Sequence, residues 1–259
     1  MVWALLVAAL GLSLAGASGC SLFGGKPAAE EKPPVIEGFS VVDPGTLQEP
    51  WLRAWYDMCG LVAGVHVACF DGENTYILAA RGEKPTAGYS VDLWGAEPGA
   101  KGYTLTFRTN DPGPGEMVAQ VISYPATLIL TPHPADAVTD VLFEGTETLP
   151  WPAPSPANAA IIPTEPRPGD EVSATTLHLA GYARVFEAQF QYALEDGHNV
   201  LAAGGIMADN GGPAWGRFDL DIQFAQPSSP GLTLRLFDES AMDGSVIFEV
   251  DIPLRWTGK

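Results

Sequence analysis

The sequence predicts a mainly β protein built from two β-rich domains. Three observations carry that expectation. The 29 Gly and 23 Pro are spread along all 259 residues and interrupt long helices. Short apolar or alternating runs recur between turn signals such as Asp71-Gly72, Asp196-Gly197 and Asp243-Gly244. A proline-dense stretch, with Pro150, Pro152, Pro154, Pro156, Pro163, Pro166 and Pro168, divides the runs into two series. Apolar residues make up 46% of the chain, enough to build a packed core.

The N-terminus reads first as an export signal. Residues 2–14 are an uncharged apolar run, too short to span a bilayer but of signal-peptide length. Ala17-Ser18-Gly19-Cys20 follows and resembles the lipobox of bacterial lipoproteins. That resemblance implies a signal peptide over 1–19, an acylated Cys20 held in a lipid bilayer, and an extracytoplasmic, membrane-anchored location. Residues 20–38 read as a flexible tether. Cys59 and Cys69 then remain as an even pair in an oxidising compartment, where a disulfide between them is expected; two buried small hydrophobes is the other reading.

The first domain is expected over 39–145. Trp51, Leu52, Trp55 and Met58 recur at helical spacing behind Pro50, with Gly60 just past the end, which predicts one short helix. Strands are expected over 65–70, 75–80, 90–94, 103–107, 117–124 and 127–130, a set suited to a small sandwich or barrel. Residues 146–168 read as a semi-rigid, proline-rich linker without ladders. The second domain is expected over 169–256, with strands near 177–183, 185–192, 200–207, 215–224, 232–237 and 246–254. Roughly seven short strands in about 90 residues is the density of an immunoglobulin-like β-sandwich.

Two resemblances add to this reading. Residues 76–91, with Gly82-Glu83-Lys84-Pro85-Thr86-Ala87-Gly88-Tyr89-Ser90 at their centre, together with Asp111-Pro112, Pro114-Gly115 and 120–125, resemble the C-terminal domain of the PrcB family; the match spans about 73–130. That family is named for a lipoprotein associated with a surface protease complex. Pro85-Thr86-Ala87-Gly88-Tyr89 is also similar to a loop of chagasin-type cysteine protease inhibitors, with Ala87 in place of a second Thr. Pro168-Gly169-Asp170-Glu171-Val172, 179–188, Trp215-Gly216-Arg217-Phe218 and 239–245 resemble the Gmad2 immunoglobulin-like domain of germination-associated and other exported proteins. The second resemblance implies a fold more than an activity.

Composition and motifs narrow the function classes. A formal charge of −18 repels nucleic acid and anionic lipid head groups alike. His66, His133, His178 and His198 stand at no metal-ligand spacing, and no nucleophile elbow, phosphate loop or zinc-protease motif is present. Asp219 and Asp221 read as the solvated face of a strand, Asp238-Glu239 and Asp243 as acids around a hairpin, and Trp215 and Phe218 as sandwich core. No cofactor, metal or catalytic residue is therefore expected. The expected role is a non-catalytic protein-binding or accessory module at the cell envelope, with an envelope or secreted protein as partner. The alternative is a protease-complex subunit or inhibitor. The expected contact loop is Lys84, Pro85, Thr86, Ala87, Gly88, Tyr89 and Ser90. Pro85 and Gly88 shape it as a turn, Tyr89 is either its aromatic anchor or a core plug, and Lys84 and Arg81 supply charge that could steer an acidic partner.

Overall fold

The first β-rich region is a two-sheet sandwich in which one sheet is covered on both faces. The computed structural model describes residues 32–258; Cys20 and the expected signal peptide lie outside them. The elements are β1 (Ser40–Val42), α1 (Pro50–Gly60), β2 (Gly64–Cys69), β3 (Thr75–Ala80), β4 (Ser90–Pro98), β5 (Tyr103–Asn110), β6 (Ala126–Thr131) and β7 (Val138–Gly145). One sheet has the order β1-β6-β3-β2, the other β4-β5-β7. Ile77, Ala79 and Ile129 face Val91, Leu93, Leu105 and Phe107 across the interior of this sandwich. The alternate residues Leu78, Ala80 and Leu128 point the other way, beneath α1. This explains why β3 reads as an unbroken apolar run: both of its faces are buried. Pro50 occupies the first turn of α1, where its missing N–H costs nothing. The helix buries Leu52, Trp55 and Met58, each burial contributing about 1.5–3 kcal/mol.

The second region adds β8 (Ile161–Glu165), β9 (Glu171–Val172), β10 (Thr176–Ala183), β11 (Gln189–Glu195), β12 (Val200–Met207), β13 (Gly216–Gln223), β14 (Gly231–Glu239) and β15 (Val246–Trp256). Its sheets run β13-β10-β8 and β12-β11-β14-β15-β9. Leu179, Phe218 and Ile222 from the first sheet meet Phe190, Leu194, Leu234 and Ile252 from the second. This is the expected immunoglobulin-like sandwich. The turn at Asp196-Gly197 is organised by the buried Asp196 carboxylate, which accepts from the N–H groups of His198, Asn199 and Ser228 and from the Ser228 hydroxyl.

Four expectations need correction. The stretch 146–168 is not free of ladders: β8 lies inside it and pairs with β10, and Leu149, Ala157, Ala160, Ile161 and Ile162 are buried. Leu149 fills the interior of the first sandwich, Ala160 and Ile161 that of the second, and Ala157 and Ile162 pack beneath α1. Pro163 is tolerated because β8 is an edge strand. Residues 117–124 form no strand: only Ser123 makes a β-bridge, an isolated antiparallel one to Lys84.

Cys59 and Cys69 are free thiols. Phe70 packs on Trp51 at 4.9 Å between ring centroids, which sets the end of β2 beside the first turn of α1. Ala68 and Phe70 face α1 in the cluster that holds Cys59, so Cys69 between them points to the other face of β2, away from Cys59. Trp215 is not in the sandwich core. It stacks on Trp51 at 5.0 Å and 10° between planes, in the apolar cluster shared by α1, β8 and β10. Arg184 holds the same junction: it donates to the Phe70 carbonyl and lies 5.4 Å from the Trp215 ring. The two sandwiches therefore share a packed interface, and residues 33–258 form one compact unit.

Candidate functional site

The expected contact loop and the would-be strand 117–124 come together. Lys84 exchanges backbone hydrogen bonds with Ser123 at 2.9 and 3.0 Å, and Ala87 N–H donates to the Ala119 carbonyl at 3.0 Å. The Ser123 hydroxyl donates to Thr86 O at 2.7 Å, and the Tyr124 hydroxyl to Glu83 at 3.0 Å. Gly88 has φ +92°, and a Cβ there would meet Val118 Cγ1 at 2.8 Å. Only glycine lets the two loops approach this closely.

One buried side chain fixes the base of the pair. Arg81, 3% exposed, ends β3's run into the loop and spends its guanidinium on four partners. Nε donates to Glu147 at 2.8 Å, Nη1 to the carbonyls of Ser90 and Asn110 at 3.0 and 2.7 Å, and Nη2 to Asp111 at 2.6 Å. The planar fork suits this convergence, and a lysine could not replace it. Arg81 also lies 5.2 Å from the centroid of the Tyr89 ring, with Lys84 at 5.9 Å on the same ring. Hydrogen bonds from Arg81 and Thr146 hold the Asp111 carboxyl below the usual range. Burial opposes ionisation of Glu147, but hydrogen bonds and charge from Lys84 and Arg81 outweigh it and hold that carboxyl low as well. The steering role expected of Arg81 is therefore not available, since its charge is consumed inside the fold. Lys84 is likewise paired with Glu147 at 2.8 Å. Tyr89 is half-buried beneath both cations, a support for the loop rather than a projecting anchor.

What projects is apolar and was missed as a surface. Met117 is 99% exposed, Ile122 61% and Val121 56%, with Tyr124 beside them. The apolar run that holds them reads as a strand. The signal against it is the punctuation Asp111-Pro112-Gly113-Pro114-Gly115, which ends β5 before a further strand can join.

Another arrangement has the look of chemistry. His66 Nδ1 lies 2.7 Å from Ser155 Oγ, and His66 Nε2 lies 2.9 Å from Val62 O. With Nε2–H donating to that carbonyl, Nδ1 would accept the serine proton. Burial lowers the His66 pKa and keeps the ring neutral. However, Pro154 and Pro156 flank Ser155, so the residue after the hydroxyl has no N–H to offer a developing oxyanion. The pair satisfies a buried histidine. Among the described residues, no group of His, Cys, Asp and Glu is arranged to hold a metal ion.

Two known families match separate parts of the chain. Residues 75–132, which include the loop pair, match the PrcB C-terminal family, and residues 161–245 match the immunoglobulin-like domain of bacterial spore germination, Gmad2. Neither description names a catalytic activity. Comparison with curated proteins and with solved structures gave no match. The two similarities suggest an accessory or protease-associated module. The chain joins a region similar to the PrcB C-terminal domain to one similar to the Gmad2 immunoglobulin-like domain, in that order.

Proposed function

We propose that this is a non-catalytic, membrane-anchored lipoprotein that docks an envelope or secreted protein on its first sandwich. The observation that supports it most is the ridge of Met117, Val121, Ile122 and Tyr124 on a loop clamped to 83–90. Exposed apolar side chains on a pre-ordered loop lower the entropy lost on docking and supply the apolar centre that interfaces favour. Acylation at Cys20, outside the described residues, would hold this platform at the membrane. A protease as the docked partner is the second reading. It is favoured by the match of residues 75–132 to a family named for a protease-complex lipoprotein.

The test is a double substitution, Val121→Asp with Ile122→Asp. Both side chains are exposed, so the fold should persist while capture of native envelope partners falls at least ten-fold. Undiminished capture by a folded double variant contradicts the proposal. Loss of palmitate incorporation in Cys20→Ala tests the anchor separately. Titration of the protein against papain-like and subtilisin-like proteases separates the second reading from the first.

A further inference from the structure

The second sandwich presents a surface independent of the loop pair. Among the described residues, four sheets give eight edge strands. An edge exposes a row of backbone donors and acceptors, and proteins blunt edges with charge, proline, shortness or a cover. Seven of the eight edges here are blunted. β1 and β9 have three and two residues. The edge of β2 is covered by 150–153, through Val65 N–H to Pro150 O and Ala153 N–H to Val65 O. β4 carries Asp92, Glu97 and Pro98, and β7 carries Asp140 and Glu144. β8 carries Pro163 and Glu165, and β13 carries Arg217, Asp219 and Asp221.

β12 is the exception. Its eight residues, Val-Leu-Ala-Ala-Gly-Gly-Ile-Met, contain no charge and no proline. Its ladder partner is β11. On the other side the Leu201 carbonyl accepts from Ala225 N–H; among the described residues, 202–206 have no further backbone partner there. Beside this edge a groove of about 700 Å³ crosses the outer face of the sheet, lined by Gln189, Gln191, Gly205, Met207, Asp238 and Glu239. Gly205 leaves it open, and among the described residues that line it the charged ones are Asp238 and Glu239.

We propose that β12 takes up an extended, basic segment of a partner protein by β-augmentation. The backbone edge requires the occupant to be a strand. The carboxylates of Asp238 and Glu239 select Lys or Arg on the face of that strand that overlies the groove. A second copy of this chain is the wrong occupant, because each copy brings a formal charge of −18.

The test is selection of a random nonapeptide phage library on the full chain. A side chain added at Gly205 meets nothing nearer than Phe190 O at 3.9 Å, so Gly205→Lys should fold while blocking the groove and guarding the edge. Enriched peptides should be proline-free at their centre and carry Lys or Arg. They should bind Gly205→Lys at least ten-fold more weakly and Asp238→Asn several-fold more weakly. Alternate N-methylation of their backbone should abolish binding. The Val121→Asp, Ile122→Asp protein should bind them normally, which keeps this site distinct from the loop pair. Equal binding to Gly205→Lys, or no enrichment over it, overturns the proposal. So does a wild-type dimer in sedimentation that Gly205→Lys dissolves, since the occupant would then be a second copy.

Discussion

Replacing Arg81 with Met should loosen the loop pair without unfolding the protein. The side chain is 3% exposed and donates to two carboxylates and two carbonyls. Removing one partner of a buried ionic network costs about 3–5 kcal/mol when the remaining charge is stranded. Here Asp111 and Glu147 keep 43% and 30% of their side-chain surface exposed and can take up water. The lower end, about 3 kcal/mol, is therefore expected. That is less than the stability of an ordinary domain, so the variant should remain folded. Arg81→Lys should lose about 2 kcal/mol, because an ammonium keeps the charge but cannot reach four acceptors in one plane. Urea titration gives the magnitude, and hydrogen exchange gives the location: 84–90 and 111–124 should lose protection first. A loss under about 1 kcal/mol with both loops still protected would refute the pinning role.

Acid should act on the same clamp. Asp111 and Glu147 titrate below their usual ranges in the folded protein. Their stabilisation is therefore present above about pH 4, where the unfolded groups are ionised, and lost as pH falls through the lower folded values. Urea midpoints measured down to pH 2.5 should show the gap between wild type and Arg81→Met narrowing with acid; a constant gap contradicts this. Mass spectrometry of protein from an oxidising compartment should find Cys59 and Cys69 as free thiols. Burial pushes the Cys59 thiol well up, so it should react with alkylating reagents only after unfolding; a Cys59–Cys69 bridge would defeat this. Trp215→Ala should cost roughly 2–3 kcal/mol, less than for a fully buried aromatic because the ring is partly exposed. Calorimetry should show one transition for wild type and a broadened or split one for the variant, whereas independent transitions in wild type would mean that the Trp51–Trp215 junction does not couple the sandwiches.

The sequence was most legible where a local rule decides. β3 and β12 fall on the residues their apolar runs mark, and α1 begins at its proline. Turns at Asp71, Asp196 and Asp243 follow from side chains that accept from the backbone just ahead. Elements set by distant partners were not legible. β7 pairs in parallel with β5 across a register shift, and β9 is two residues attached to β15. β8 contains Pro163 and reads as linker until its edge position is known. Residues 117–124 hold an apolar run that reads as a strand, yet only Ser123 makes a β-bridge. The site was half legible. The turn chemistry of Pro85 and Gly88 pointed to the loop, whereas the role of Arg81 depends on Asp111 and Glu147, 30 and 66 residues away.

The docking ridge is tested most directly by a photo-crosslinking residue placed at Met117, with a second protein carrying it at Val41 as an exposed control on the same sandwich. Irradiation in native envelopes should give a discrete adduct from position 117 and none of that mass from position 41. The adduct should disappear when Arg81→Met is added to the same chain. An adduct of equal yield from both positions, or one that survives loss of Arg81 in a protein whose loops exchange freely, would contradict a partner held on this loop pair.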